Sequence, residues 1–256
     1  MTDNNHHISK LPNAPLQEVI FELRWKLDFD PVSQSQDDKD FQFAFANFSS
    51  LSANKLKYRV ILKPSAMPDV LFINRPIYQF WASENQYPVF QLGPGVFTVN
   101  ETEKNYEWRY FRNLIFEGVQ WLAKSYSNKL EFSVVELRYI DAIEVGEDNQ
   151  KDLAKFITDN LKIEIRNQAI DARLNDFQLH QRFKIDSENH LNLLIANGVK
   201  NIDQSKAVIL QTSYNKTSNI SLENLTSWVD KAHETCSSLF KQMISKNLYE
   251  KFSKTN

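Results

Sequence analysis

The stretch FELRW, Phe21 to Trp25, returns almost letter for letter as VELRY, Val135 to Tyr139, and this repetition constrains the fold more than any other feature of the chain. Each copy lies in a run where apolar and charged residues alternate. Around the first, Val19, Phe21, Leu23, Trp25 and Leu27 share one parity, with Glu18, Glu22, Arg24 and Lys26 between them. Period-two alternation specifies a strand with one buried face. Registering Phe21 on Val135 places Glu22 on Glu136 and Arg24 on Arg138, so each strand carries an apolar face and a Glu/Arg face.

The order of elements repeats too. After the first copy, FQFAFANFSSLSAN sets Phe41, Phe45, Phe48 and Leu51 at helical spacing, although Phe41, Phe43 and Phe45 also alternate. KLKYRVILK, DVLFINRPIYQFWAS and the two flanks of Gly93-Pro94-Gly95 read as strands, with Gly-Pro-Gly as a turn or bulge. Trp108, Phe111, Ile115, Val119 and Leu122 then mark a long amphipathic helix, with Asn100 or Thr102 as its candidate cap. The second copy is followed by a helix in QKDLAKFITDNLKIEI and strands in FQLHQRFKID, HLNLLIANG and AVILQTSYNK. A C-terminal helix opens at Ser221 and carries Leu225, Val229, Ala232, Cys236 and Met243 on one stripe. DFDPVSQSQDDKD reads as a loop.

The predicted fold is therefore α+β: a mainly antiparallel sheet with long helices packed on one face, built from two pseudo-repeated halves (strand, helix, strands, long helix). The halves are residues 14–129 and 130–256, packed as one globular unit behind a flexible tail of residues 1–13. If they are related by a pseudo-two-fold axis, the doubled strands run antiparallel at the centre, with Glu22 opposite or diagonal to Arg138 and Glu136 to Arg24. Such cross-strand charge pairs contribute about 0.2–1 kcal/mol each.

A chain of 256 residues supports a full hydrophobic core without disulfides or metals. Its five glycines form no phosphate-cradling loop, and a formal net charge of -2 gives no global pull toward nucleic acid. The single cysteine, Cys236, cannot close an internal disulfide or anchor a thiolate metal site alone. Residues Met1 to Pro15 lack the apolar run of a leader, and no stretch reaches the roughly 18 apolar residues that span a bilayer, so the predicted location is cytoplasmic without membrane contact.

Catalytic signatures are missing. His6, His7, His180, His190 and His233 form no H-x-x-x-H or H-E-x-x-H arrangement. Magnesium-dependent chemistry would need gathered carboxylates. Asp141 and Glu144 near the end of the second copy, and Glu101, Glu103 and Glu107 before the first long helix, are the candidates, although acids in a first helical turn ordinarily complement the helix dipole. Cys236 on its apolar stripe reads as a small buried hydrophobe. No catalytic residue, metal ligand or cofactor is assigned.

Two surfaces remain as candidates for partner contact. One is the face of Glu22, Arg24, Glu136 and Arg138, weighed against an ordinary solvated charge row. The other is RPIYQFWASENQYPVF, where Arg75, Tyr78 and Trp81 offer an aromatic and cationic contact, weighed against core packing.

Ala14-Pro15, Glu18, Phe21 and Arg24, then FQLGPGVFTVNE with Tyr106 and Trp108, then Arg138-Tyr139-Ile140, resemble a sporadically distributed, functionally uncharacterised bacterial protein family of about 250 residues. The family pattern continues with asparagine where this chain has Asp141. The resemblance implies no activity and no catalytic residue. The family's patchy distribution implies mobile genes, as in antiviral defence and toxin-related cassettes.

Together these features predict a non-enzymatic binding or accessory subunit, a sensor or neutralising component acting through protein–protein contacts in such a system. The expected partner is a neighbouring gene product, with self-association open. The alternative is a nucleic-acid-binding or metal-dependent nucleic-acid-processing component using Arg24, Arg59, Arg75 and Arg138 on phosphates.

Overall fold

The computed structural model describes residues 11–31, 34–102, 104–127, 129–146, 153–165, 169, 174, 176–200 and 205–254. His6, His7 and Glu103, along with most of the expected N-terminal tail, lie outside them. The elements run β1 Leu16–Trp25, β2 Asp28–Asp30, β3 Ser35–Asp37, α1 Phe41–Ser52, β4 Tyr58–Ile61, a 3-10 turn at Asp69–Phe72, β5 Tyr78–Ser83, β6 Gln86–Gly93, β7 Val96–Thr102 and α2 Trp108–Ser125. The second half follows with β8 Phe132–Glu144, α3 Leu153–Asn160, β9 Gln178–Lys184, β10 Asn189–Val199, β11 Lys206–Lys216, α4 Leu222–Met243 and α5 Lys246–Ser253.

Nine of the strands form one sheet in the order β4-β5-β6-β7-β1-β8-β11-β10-β9, every neighbouring pair antiparallel. The order is a palindrome of the two halves about the β1/β8 seam, with β4 as the unmatched strand. Glu22 faces Glu136, Phe21 faces Leu137 and Leu23 faces Val135. Because Glu22 meets its own counterpart, the pseudo-two-fold axis passes through that pair. Arg138 lies diagonal to Glu22 and Arg24 diagonal to Glu136, as the doubled stretch predicts.

Strand parity settles which side the helices cover. Val19, Phe21, Leu23 and Trp25 of β1, with Val135, Leu137 and Tyr139 of β8, are buried. They share a cluster with Phe41 and Phe48 of α1, Phe111, Ile115, Val119 and Leu122 of α2, and Leu225 and Val229 of α4. A second cluster lies under α3, the end of α4 and α5, around Leu193, Ile195, Val208 and Leu210. All five helices therefore sit on one face. No helix among the described residues is long and apolar enough to cross a membrane.

Local chemistry explains several boundaries. Glu107 caps α2, its carboxylate accepting from the backbone N–H groups of Arg109 (3.2 Å) and Tyr110 (2.9 Å). This corrects the expected cap, since Asn100 and Thr102 belong to β7. Ser221 caps α4 as predicted, accepting from Asn224 N–H. DFDPVSQSQDDKD contains the small β2/β3 hairpin instead of loop alone. The expected flexible tail reaches too far, since Leu11 is buried and Asn13 N–H donates to the Phe252 carbonyl at 2.9 Å.

Gly93-Pro94-Gly95 is the β6/β7 hairpin turn, with Gly95 at φ +79°. A Cβ on Gly93 would lie 1.9 Å from the Arg75 carbonyl oxygen, so the turn exists only with hydrogen there. Gly93→Ala is expected to destabilise the protein by about 2–3 kcal/mol by urea titration, because a backbone carbonyl must move to admit the methyl. An unchanged midpoint would mean that the segment at Arg75 is free to withdraw.

Candidate functional site

The seam residues are tied to one another. Arg24 Nε donates to Glu22 Oε1 at 2.7 Å, and Arg138 Nη2 to Glu136 Oε2 at 2.6 Å, each within its own strand. The face uncovered by helices does hold all four residues, but the arginines spend their charge locally. The aromatic segment is corrected more sharply. Tyr78 is 9% exposed and stacks on Phe45 at 3.9 Å, and Trp81 is 7% exposed with its ring edge on Tyr87. Both are buried: Tyr78 lies under Phe41 and Phe45 of α1, and Trp81, on the opposite parity, packs against Tyr87. Of that group only Arg75 is exposed.

The proposed carboxylate gathering does not form. Glu144 pairs with Lys200, Glu107 caps α2 and Glu101 is fully buried in β7. Among the described residues no group of three or more His, Cys, Asp or Glu side chains is placed to hold a metal.

A different site opens on the helical side. Where the two core clusters meet, the N-terminus of α2 and the middle of α4 part over the sheet and leave a cleft of about 990 Å³. Its walls draw Leu16 and Tyr106 from the larger cluster, Leu11 and Phe240 from the smaller. The helices are clamped by Arg112 of α2, whose Nε and Nη2 donate to the two carboxylate oxygens of Asp230 of α4 at 2.6 and 2.9 Å. At the floor, the β1/β8 register slips between Leu16 and Glu18. Such a bulge re-aims side chains beside it.

Asp141 sits at this floor opposite Leu16. It shares the buried parity of Leu137 and Tyr139 and is 5% exposed. Burial alone pushes its carboxyl up to about 7, with no hydrogen bond or neighbouring charge among the described residues offsetting it. Beside it runs a polar chain: Tyr106 and Tyr139 hydroxyls meet at 3.0 Å, and the Tyr139 hydroxyl meets His233 Nδ1 at 2.8 Å. Trp108 stacks on the His233 ring at 3.8 Å and 9°. Burial, aided by the charge of Lys241, lowers His233 to about 4, so the imidazole is neutral at pH 7. Cys236 lies in the same wall, its thiol pushed up to about 12 by burial and therefore unreactive, as the sequence predicts.

Comparison with protein-family models, curated proteins and solved structures returned no match for this chain. Function is therefore read from the cleft itself.

The cleft has the composition of a ligand site: mostly apolar walls, a few convergent polar groups, a volume suited to a small molecule, and a titratable residue far from its ordinary range. Sequence reasoning noted Asp141 as a metal candidate and as a departure from the asparagine of the family pattern, and His233 only as a histidine outside any metal motif. Parity carried the missing signal, since an acid in phase with Val135, Leu137 and Tyr139 must point into the helical side.

Proposed function

We propose that this protein is a cytoplasmic binding protein whose cleft between α2 and α4 takes a small molecule, the sensor form of the accessory role expected from the sequence. The observation that supports it is the buried Asp141 carboxyl, facing a 990 Å³ cleft without a partner among the described residues. Native mass spectrometry on protein isolated without refolding tests it. Wild type is expected to carry a bound small molecule that Ser237→Trp holds less well, since Ser237 lines the cleft and an indole there takes up part of its space. A wild-type protein that is bare and takes up no fragment into the cleft would count against the proposal.

A sensor must also pass its state to a partner, and the protein-contact reading draws support from the sheet edge. Strand β4 exposes Tyr58, Val60 and Ile61 at 46%, 40% and 57%, and Leu62, Met67 and Leu71 are exposed nearby. An open apolar edge strand invites strand addition. Co-expression with the products of adjacent genes, including any from a defence or toxin-related cassette, should yield a complex on size-exclusion that Val60→Lys dissolves. The nucleic-acid alternative draws less support: Arg24 and Arg138 are engaged by glutamates and Arg59 lies over the Phe45 ring.

A further inference from the structure

A buried carboxyl that accepts no hydrogen bond from the described residues is an incomplete recognition element. The neighbouring Tyr106 and Tyr139 hydroxyls are joined to each other and to His233, and burial of a polar group is unfavourable until a partner satisfies it. Three cations line the cleft, Arg109, Arg112 and Lys241; Asp230 holds the Arg112 guanidinium, and none of the three is hydrogen-bonded or ion-paired to Asp141. Among the described residues, burial is what raises the Asp141 carboxyl. Tyr106, Trp108, Tyr139 and Phe240 line the same cleft, and an aromatic face turned toward a ligand attracts a cation through its quadrupole. A lone carboxylate under aromatic walls matches a positively charged nitrogen rather than a metal ion, which would require several oxygen ligands.

We infer that the ligand of this cleft presents a protonated amine or an amidinium to Asp141, its organic body lying against the aromatic walls. This rests on the cleft being a ligand site. A charged N–H pair forms a charge-assisted hydrogen bond with the ionised carboxylate, and the aromatic walls take the remainder. The neutral imidazole of His233 adds no competing charge, and the Tyr106–Tyr139–His233 chain holds the wall rings in place.

Paired probes that differ only in charge test the inference: benzamidine against benzamide, and phenethylamine against 2-phenylethanol. Binding is followed by tryptophan fluorescence and calorimetry at pH 8, with probes up to roughly 10 mM, well above a Kd of about 1 mM. The charged member of each pair is expected to bind wild type at least tenfold more tightly than its neutral isostere. Asp141→Asn should weaken the charged probes by about tenfold to a hundredfold and leave the neutral ones unchanged. Asp141→Ala should repeat the loss, and Ser237→Trp should weaken all probes. Equal binding of charged and neutral probes, unaffected by Asp141→Asn, would overturn the amine assignment and leave the cleft as a site for neutral ligands. Charged probes that bind Ser237→Trp as tightly as wild type would place their site elsewhere and overturn it as well. If no probe of either kind binds wild type, both the assignment and the ligand-site proposal fall.

Discussion

Asp141→Asn should make the protein more stable at pH 8 by about 4 kcal/mol relative to its effect at pH 4, where the two proteins should unfold alike. The carboxyl titrates near 3.8 when unfolded and at about 7 in the fold. Between those values the folded state holds a proton that the unfolded state has released, so stability falls as pH rises through the window and is level above it. Each pKa unit corresponds to about 1.36 kcal/mol, which sets the size. Asparagine keeps the shape and removes the charge.

His233 opposes this trend in wild type. Its ring is neutral in the fold down to about 4 but protonates near 6.5 when unfolded, so its contribution is present above 6.5 and lost as pH falls toward 4. That loss amounts to about 3 kcal/mol. The two slopes nearly cancel between pH 4 and 6.5. In Asp141→Asn the opposing slope is gone, so stability should rise with pH over that range relative to wild type. Burial also raises Asp38 and Glu101, but both are common to the two proteins and drop out of the difference. Chemical denaturation at pH 4, 6 and 8 checks the result. Parallel pH profiles for the two proteins would show that Asp141 is solvated or partnered, and would remove the main support for the ligand site.

Phe21→Ala is expected to remove about 3–5 kcal/mol, against a total stability of about 5–15 kcal/mol for a domain of this kind. Phe21 is wholly buried, lies between Val99 of β7 and Leu137 of β8, and belongs to the cluster that joins both halves. Truncation removes its transfer free energy and leaves a cavity in a wall shared by two helices. Arg24→Ala, three residues along the same strand, should change stability by under about 1 kcal/mol, because its ion pair is partly exposed. Leu137→Ala should couple to Phe21→Ala by about 0.5–3 kcal/mol in a double-mutant cycle, since the residues face one another across the seam. Urea midpoints measure all three. Independent, additive losses would mean that the halves do not share a cooperative core.

Much of this architecture was readable in residue order. The two alternating runs specified β1 and β8, and their shared Glu-x-Arg pattern anticipated the diagonal placement of Arg138 and Glu22, though not the ion pairs within each strand. Helical spacing found α1, α2 and α4, and Ser221 marked the start of α4. Reading failed where a residue's role depends on chain-remote neighbours. Glu107 caps α2 in place of a residue type with a stronger capping preference. Tyr78 and Trp81 look like contact aromatics until β4, β6 and α1 cover them. The break before α5 at Ile244, followed by the Ser245 cap, was hidden because the apolar stripe of α4 runs up to it.

What the sequence determined by itself is the periodic layer: strand parity, helical stripes, and a duplicated strand able to pair with its own copy, all set by interactions within a few residues. What only the tertiary structure decided is the site. Tyr106 comes from the β7–α2 connection, Asp141 from β8 and His233 from α4, and their meeting depends on how α2 and α4 dock over the β1/β8 bulge. Docking of that kind is governed by side-chain packing across the whole sheet, which no local pattern encodes, so the sequence could place an acid on the buried face but not show that a cleft would open above it.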